Sequence, residues 1–260
     1  MNLNLNNKYA LVCGSTAGIG KATALALAEE GAIVTLIARN EDKLNMTLAE
    51  LPQHRNHDYI VADFSNPIEL MEKVNNYIKK QHGFHVLINN TGGPAGGPIF
   101  SAKVEDFESA FTQHLKCNHV LVQAVVPQMK EQGYGRIINV ISTSVKQPLD
   151  GLGVSNTIRG AVASWSKTLA NELGQFGITV NNVLPGATGT ERLTQIIKNK
   201  SVKTGKSEED TSEAMKNAVP AKRFAKPEEL ADAITFLASE RAAYINGINL
   251  PVDGGRTKSL

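Results

Sequence analysis

The stretch CGSTAGIGKATALALAEEG, Cys13–Gly31, decides how the chain is read. It begins at the end of an apolar run, YALVCG at Tyr9–Gly14, and passes into a helical pattern. Gly14, Gly18 and Gly20 give the spacing G-x-x-x-G-x-G. A backbone without side chains at those places lets a pyrophosphate approach, and the helix that follows presents unpaired N–H groups and the positive end of its dipole. A glycine triplet alone is weak evidence. Between the first strand and first helix of an α/β chain it points to a dinucleotide site.

Working outward, apolar runs of strand length recur at Ala32–Ala38, Asp58–Asp63, His85–Asn90, Gly135–Ser142, Ile178–Gly186 and Ile248–Gly255. They do not alternate polar with apolar residues, as expected for strands buried on both faces of a parallel sheet. Amphipathic stretches lie between them, at Gly20–Glu30, Pro67–Lys80, Val104–Gln132 and Gly153–Leu173. Strand–helix alternation over residues 1–260 predicts a single α/β domain, a doubly wound parallel sheet with helices on both faces. One polar insertion, at about residues 190–218, is long for a tight connection and suits a lid. Pro227 starts the helix beyond it.

The composition narrows the function classes. Of 260 residues, 42% are hydrophobic and 20% charged, which argues for a sizeable core and against disorder. A net charge of +2 implies no general polyanion partner, and no nucleic-acid ligand is expected. The basic run KNKSVKTGK, Lys198–Lys206, is the one feature that could serve such a role, and it also suits a solvated face. Two cysteines, Cys13 and Cys117, do not make a disulfide framework, and both suit small buried positions in a reducing compartment. No secretory leader or membrane span is visible, so a soluble cytoplasmic protein is expected. The pairs His54/His57 and His82/His85 lack a third ligand, and no metal is expected.

The second apolar run ends at Ala38, where an acidic side chain would hold the ribose 2′-hydroxyl of NAD, and Arg39 follows. An arginine there can receive a 2′-phosphate through charge-assisted bonds, which favours NADP(H) over NAD(H).

The glycine loop, Asp63, NNTGG at Asn89–Gly93, GRIINVIS ending at Ser142, NELGQFGITVNNVLPG and the late VDGG occur in that order. Together they resemble the short-chain dehydrogenase/reductase family, especially its 3-oxoacyl-acyl-carrier-protein reductase-like members, over nearly the whole chain. The resemblance implies a Rossmann fold, a homotetramer, and hydride transfer to or from a carbonyl or secondary alcohol of a small molecule. It implies that Gly14, Ser15, Thr16, Gly18, Ile19 and Gly20 line the pyrophosphate and adenosine. Asp63 would contact adenine, with Phe64 beside it, and Asn90 would steady the central strand and touch the ribose. Pro185 and Gly186 would border the nicotinamide, with Thr188 and Thr190 bonding its carboxamide and the diphosphate.

The family's catalytic group is an asparagine, a serine, and a tyrosine and lysine spaced Y-x-x-x-K. The serine falls on Ser142. Counting on from Gly135, the tyrosine position falls on Ser155 and the lysine position on Arg159; counting back from Gln123–Met129, the asparagine position falls on His114. Three of the four are changed. A serine hydroxyl is a poor proton source, and an arginine stays charged, so Arg159 can hold the nicotinamide ribose but cannot pass a proton. Lys146, four residues beyond Ser142, is the first candidate for a relocated donor; His114, with an ordinary pKa of about 6.5, and Ser144 are the others. The alternative is a catalytically impaired NADP(H)-binding pseudoenzyme, a sensor or scaffold. The apolar stripe Val154, Ile158, Val162, Trp165 and Leu169 suits either pairing between subunits or packing within one.

Overall fold

Each apolar run becomes a strand in the computed structural model, which describes residues 2–259. The strands are β1 Tyr9–Cys13, β2 Ile33–Ala38, β3 Asp58–Val61, β4 Val86–Asn89, β5 Gly135–Val140, β6 Ile178–Pro185 and β7 Asn249–Val252. They form one sheet in the order β3-β2-β1-β4-β5-β6-β7, and every pairing is parallel. Parallel neighbours need crossovers, and the helices α1 Gly18–Glu29, α2 Glu41–Glu50, α3 Pro67–Lys80, α4 Val104–Phe111, α5 Cys117–Gln132, α6 Gly153–Leu173, α7 Glu191–Thr204, α8 Glu208–Asn217 and α9 Pro227–Ala238 provide them. One core cluster joins Leu27 of α1 and Ile234 of α9 to one sheet face. A second joins Leu70 of α3, Leu121 of α5 and Leu173 of α6 to the other. The strand order reverses between β1 and β4, so the loops after these two strands flank a crevice where ligands of such sheets bind.

Three stretches differ from expectation. Val104–Gln132 is not one helix: a π-helical turn, Thr112–Lys116, separates α4 from α5 and carries His114 to its buried side. Such turns are rare and often mark functional positions. The polar insertion is two helices, α7 and α8, joined at Gly205 (φ +68°), with Leu193 and Thr211 their buried residues. The helix α2 has too few apolar positions to announce itself; Asn40 starts it by accepting a bond from Lys43 N at 2.8 Å.

Part of the stripe on α6 packs within the chain, while Trp165 and Leu169 are only partly buried. Val154 and Ile158 pack with Ala110 of α4, and Val162 packs with Leu184 of β6. His85 and His57 serve as strand-end acceptors, taking Tyr9 N and Val34 N at 3.0 Å each. Cys117 is buried, with Sγ 3.0 Å from the Phe64 carbonyl oxygen, and burial pushes its thiol up to about 12. Among the described residues no helix is long and apolar enough to cross a membrane.

A feature without precedent in the sequence patterns crosses the sheet. Asn89, Asn139, Asn182 and Asn249 occupy matching register positions on β4, β5, β6 and β7. Asn89 donates to Asn139 (2.8 Å), Asn139 to Asn182 (3.0 Å) and to Ser166 Oγ of α6 (2.9 Å), and Asn182 to Asn249 (2.8 Å). Amides buried among strands are stable only when paired, so the ladder fixes the register of the half-sheet that carries the candidate catalytic residues.

Candidate active site

The glycine loop is shaped by close backbone approach. Gly14 and Gly18 have φ of +59° and +51°, which a side chain would strain. A Cβ on Gly20 would lie 2.2 Å from the Gly14 carbonyl oxygen, so α1 could not start so near the strand end with any other residue. Asn90 donates to the Cys13 and Gly14 carbonyls at 3.3 and 3.4 Å, tying this loop to the end of β4. The start of α1 has no side-chain cap, which leaves the first-turn amides to an anion. These residues fit the diphosphate of a dinucleotide. Thr16 and Ile19 are partly exposed on the loop.

Ser15 is the exception. Its side chain is fully buried, and Oγ accepts from Ile37 N at 3.1 Å, completing the end of β2 instead of lining the diphosphate site. Arg39 is exposed beyond β2. Asp63 lies on the same rim, its carboxyl held below the usual range chiefly by the Ser65 N–H at 2.9 Å, with the charge of Arg39 contributing less. The ring of Phe64 joins the core cluster beneath. Beyond β6, Thr188 Oγ1 bonds the Gly186 carbonyl (3.1 Å) and Thr190 caps α7. A Cβ on Gly18 would meet Thr190 Cγ2 at 3.0 Å, so α7 begins against the phosphate loop. Pro185 ends β6 beside it.

The catalytic positions gather beyond β4 and β5. Ser142 Oγ accepts from Ser144 N (3.1 Å) and caps the short turn Thr143–Val145. Lys146 ends that turn, its N–H donating to Thr143 O at 3.0 Å, and its carbonyl accepts from Ser259 Oγ at 3.3 Å. The C-terminal segment therefore lies along this loop, a placement that no motif signalled. Ser144 Oγ is buried without a partner. Ser155, in the first turn of α6, is partly buried. Arg159, 7% exposed, donates from Nη1 to the Val140 carbonyl at 3.2 Å.

His114 is 1% exposed, with Nδ1 2.7 Å from Thr91 Oγ1 and Nε2 without a partner. Burial, then the charges of Arg159 and Arg192, push its pKa down to about 3. The imidazole is neutral at physiological pH, which corrects the expectation of a donor titrating near 6.5. Arg192, the second residue of α7, carries no motif in the sequence, yet its Nη2 reaches across the crevice to the Pro94 carbonyl. A hollow of about 360 Å³ between β3 and α3 contains none of the expected site residues.

The buried histidines give a stability prediction. His114 is held to about 3, and His85 to about 4 by burial and then by Lys8. Both lie below the unfolded value of about 6.5. Their contribution is therefore complete above pH of about 6.5 and is lost as pH falls towards the folded values, because the unfolded chain takes up protons first. Melting temperatures should drop between pH 7.5 and 5, and His114→Asn should lessen the drop. An equal drop in the variant, followed by circular dichroism, would remove His114 from this account.

An open parallel sheet with a glycine loop at its reversal point defines a dinucleotide-binding α/β protein. Residues 14–257 match the family model described as enoyl-(acyl carrier protein) reductase. The NADPH-dependent reductase BacG of Bacillus subtilis is 30% identical, over 98% of this chain and 100% of its own. The 3-oxoacyl-[acyl-carrier-protein] reductase FabG of Staphylococcus epidermidis is 31% identical, over 96% and 98%. The structure of L-sorbose reductase from Gluconobacter frateurii, complexed with NADPH and L-sorbose, superposes with a TM-score of 0.92 at 32% identity, covering 100% of both chains. The chain belongs to the short-chain dehydrogenase/reductase family. These three relatives are named as reductases, and none supports the sensor or scaffold reading.

Proposed function

We propose that the protein is an NADP(H)-dependent reductase of small carbonyl compounds, a single domain whose helices α7 and α8 act as a lid. The observation that carries the cofactor choice is Arg39, exposed beside Asp63 and directly after Ala38, the position where a ribose-binding acid would stand. The NADPH-dependent relatives support it. Gly14, Thr16, Gly18, Ile19 and Gly20 would hold the diphosphate, Asp63 the adenine, Asn90 and Arg159 the ribose next to the nicotinamide, and Pro185, Gly186, Thr188 and Thr190 the carboxamide side. When bound, NADPH supplies the hydride that reduces the carbonyl carbon.

The residues of the chain supply the rest. Ser142 and Ser155 hydrogen-bond the carbonyl oxygen and orient it. Lys146 gives that oxygen a proton as negative charge develops, and regains one from solvent, so a carbonyl plus hydride and proton becomes an alcohol. Ser144, buried and partnerless at Oγ, stands behind this turn. We extend the reading to a cytoplasmic homotetramer: Ile99, Phe100 and Val104, 55%, 102% and 67% exposed, leave apolar surface at the start of α4.

Purified protein should oxidise NADPH with some member of a panel of ketones, aldehydes and 3-oxoacyl thioesters; no turnover across the panel overturns the reading. NADPH should bind more tightly than NADH, and Arg39→Ala should weaken NADPH by on the order of 10-fold or more, the worth of a charge-assisted bond. Calorimetric titration with an unchanged Kd would refute the assignment of Arg39.

A further inference from the structure

Two guanidiniums meet beside Gly93, in the loop after β4. A Cβ built on Gly93 would lie 3.4 Å from Arg192 Nη2 and 3.9 Å from Arg159 Nη2. Arg159 rises from α6 inside the protein, and Arg192 arrives from α7 on the opposite side of the crevice. Among the described residues neither has a carboxylate within ion-pairing distance. The charge of Arg192 adds to burial in pushing the Arg159 pKa down to about 10, and both cations bear on His114. Like charges gathered around a buried site are costly unless an anion neutralises them.

The third member is the free edge of His114. With Thr91 Oγ1 at Nδ1, a hydroxyl donated to that nitrogen leaves the proton on Nε2, which is buried and unpartnered. The neutral imidazole is then a buried donor within electrostatic reach of the two guanidiniums that meet at Gly93. Two oxygens of a planar carboxylate match such a set better than an uncharged carbonyl does.

We propose that Arg192 and His114 Nε2–H, with Arg159 Nη2 shared between the nicotinamide ribose and the substrate, form a carboxylate-binding subsite, so that the substrate is an oxo acid docked in its ionised form. The proposal rests on the reductase reading and narrows its substrate class. A cavity of about 380 Å³ opens from Gly93 past Gly96, Ala110 and Val154, with room for the body of a small acid. Asp106 is part of its wall, which disfavours a second carboxylate within the cavity and selects monoacids.

The diphosphate of the cofactor is the other source of negative charge within reach, since α7 starts against the phosphate loop. The experiment therefore has two arms. In the first, NADPH oxidation is followed with 2-oxobutanoate and 3-oxobutanoate against their methyl esters. The acids should exceed the esters in kcat/KM by on the order of 10²-fold, and Arg192→Leu should collapse that ratio, with Arg192→Lys between. Arg192 is exposed on α7, so its replacement leaves the core intact. In the second arm, butanoate, which has no carbonyl to reduce, is titrated calorimetrically into the NADPH-loaded protein. Its affinity should fall at least about tenfold in Arg192→Leu while that for NADPH holds.

Esters reduced as well as acids would overturn the subsite and leave the reductase standing. Loss of NADPH affinity with butanoate binding unchanged would assign the guanidinium to the diphosphate and overturn it too. Butanoate binding that depends on Arg192 without turnover of any oxo compound would uphold the subsite and sink the reductase.

Discussion

Lys146→Ala is expected to lower kcat for carbonyl reduction by on the order of 10²–10⁴-fold, with the Kd for NADPH unchanged. The size follows from what remains after the ammonium is gone. Ser142 and Ser155 can hydrogen-bond the carbonyl oxygen, but neither hydroxyl gives up a proton at neutral pH. Arg159 stays cationic, because even pushed down to about 10 it holds its proton at pH 7. His114 carries the opposite defect: held to about 3, it has no imidazolium to offer. That leaves Lys146, whose backbone ends the turn that Ser142 caps. Ser155→Ala should cost less than about tenfold, the scale of one neutral hydrogen bond, because its hydroxyl only orients the substrate. Single-turnover measurements with a substrate in hand separate the two variants. Full turnover in Lys146→Ala would end the relocated-donor mechanism and leave solvent as the proton source.

How far the sequence could carry this picture depends on range. The glycine loop, the seven strands and the start of α9 are local patterns, and they were legible because continuous apolar runs and glycine spacing are written in adjacent residues. The break at Thr112–Lys116 was not legible: a π turn keeps the composition of the helix around it and changes only the side to which His114 points. For the same reason the sequence suggests a group titrating near neutrality at His114, since burial and two arginines distant only in sequence set its pKa. Arg192 stood in a polar stretch without periodicity, and nothing in ERLTQ shows that its guanidinium spans the crevice. Ser15 shows the reverse error, in which a loop position matched by motif turned out to serve β2. The placement of the C-terminal segment along Lys146 and Gln147 depends on two hydrogen bonds between side chain and backbone that no motif encodes.

The asparagine ladder is the clearest case of long-range information, and it carries the second large effect. Asn139→Leu should destabilise the fold by on the order of 2–5 kcal/mol, because it strands Asn89 Nδ2 and Asn182 Oδ1 at once. Asn139 is fully buried, so no water replaces the lost partners. Ser166 keeps its bond to the Val162 carbonyl at 2.8 Å, which limits the damage on the α6 side. Each of the four strands contributes an asparagine to the ladder from an apolar run, and only the parallel register brings the four into line. Urea unfolding of the purified variant measures the effect, and a loss below about 1 kcal/mol would mean that the ladder holds nothing the apolar core does not already hold. The consequence should reach the site as well. Asn90, which ties the phosphate loop to β4, is next in chain to Asn89, and Ser142 lies three residues beyond Asn139. A ladder that loosens β4 against β5 therefore shifts both the cofactor cradle and the residue that orients the carbonyl. NADPH binds the ordered cradle and not the unfolded chain, so saturating cofactor should restore part of the lost stability in Asn139→Leu.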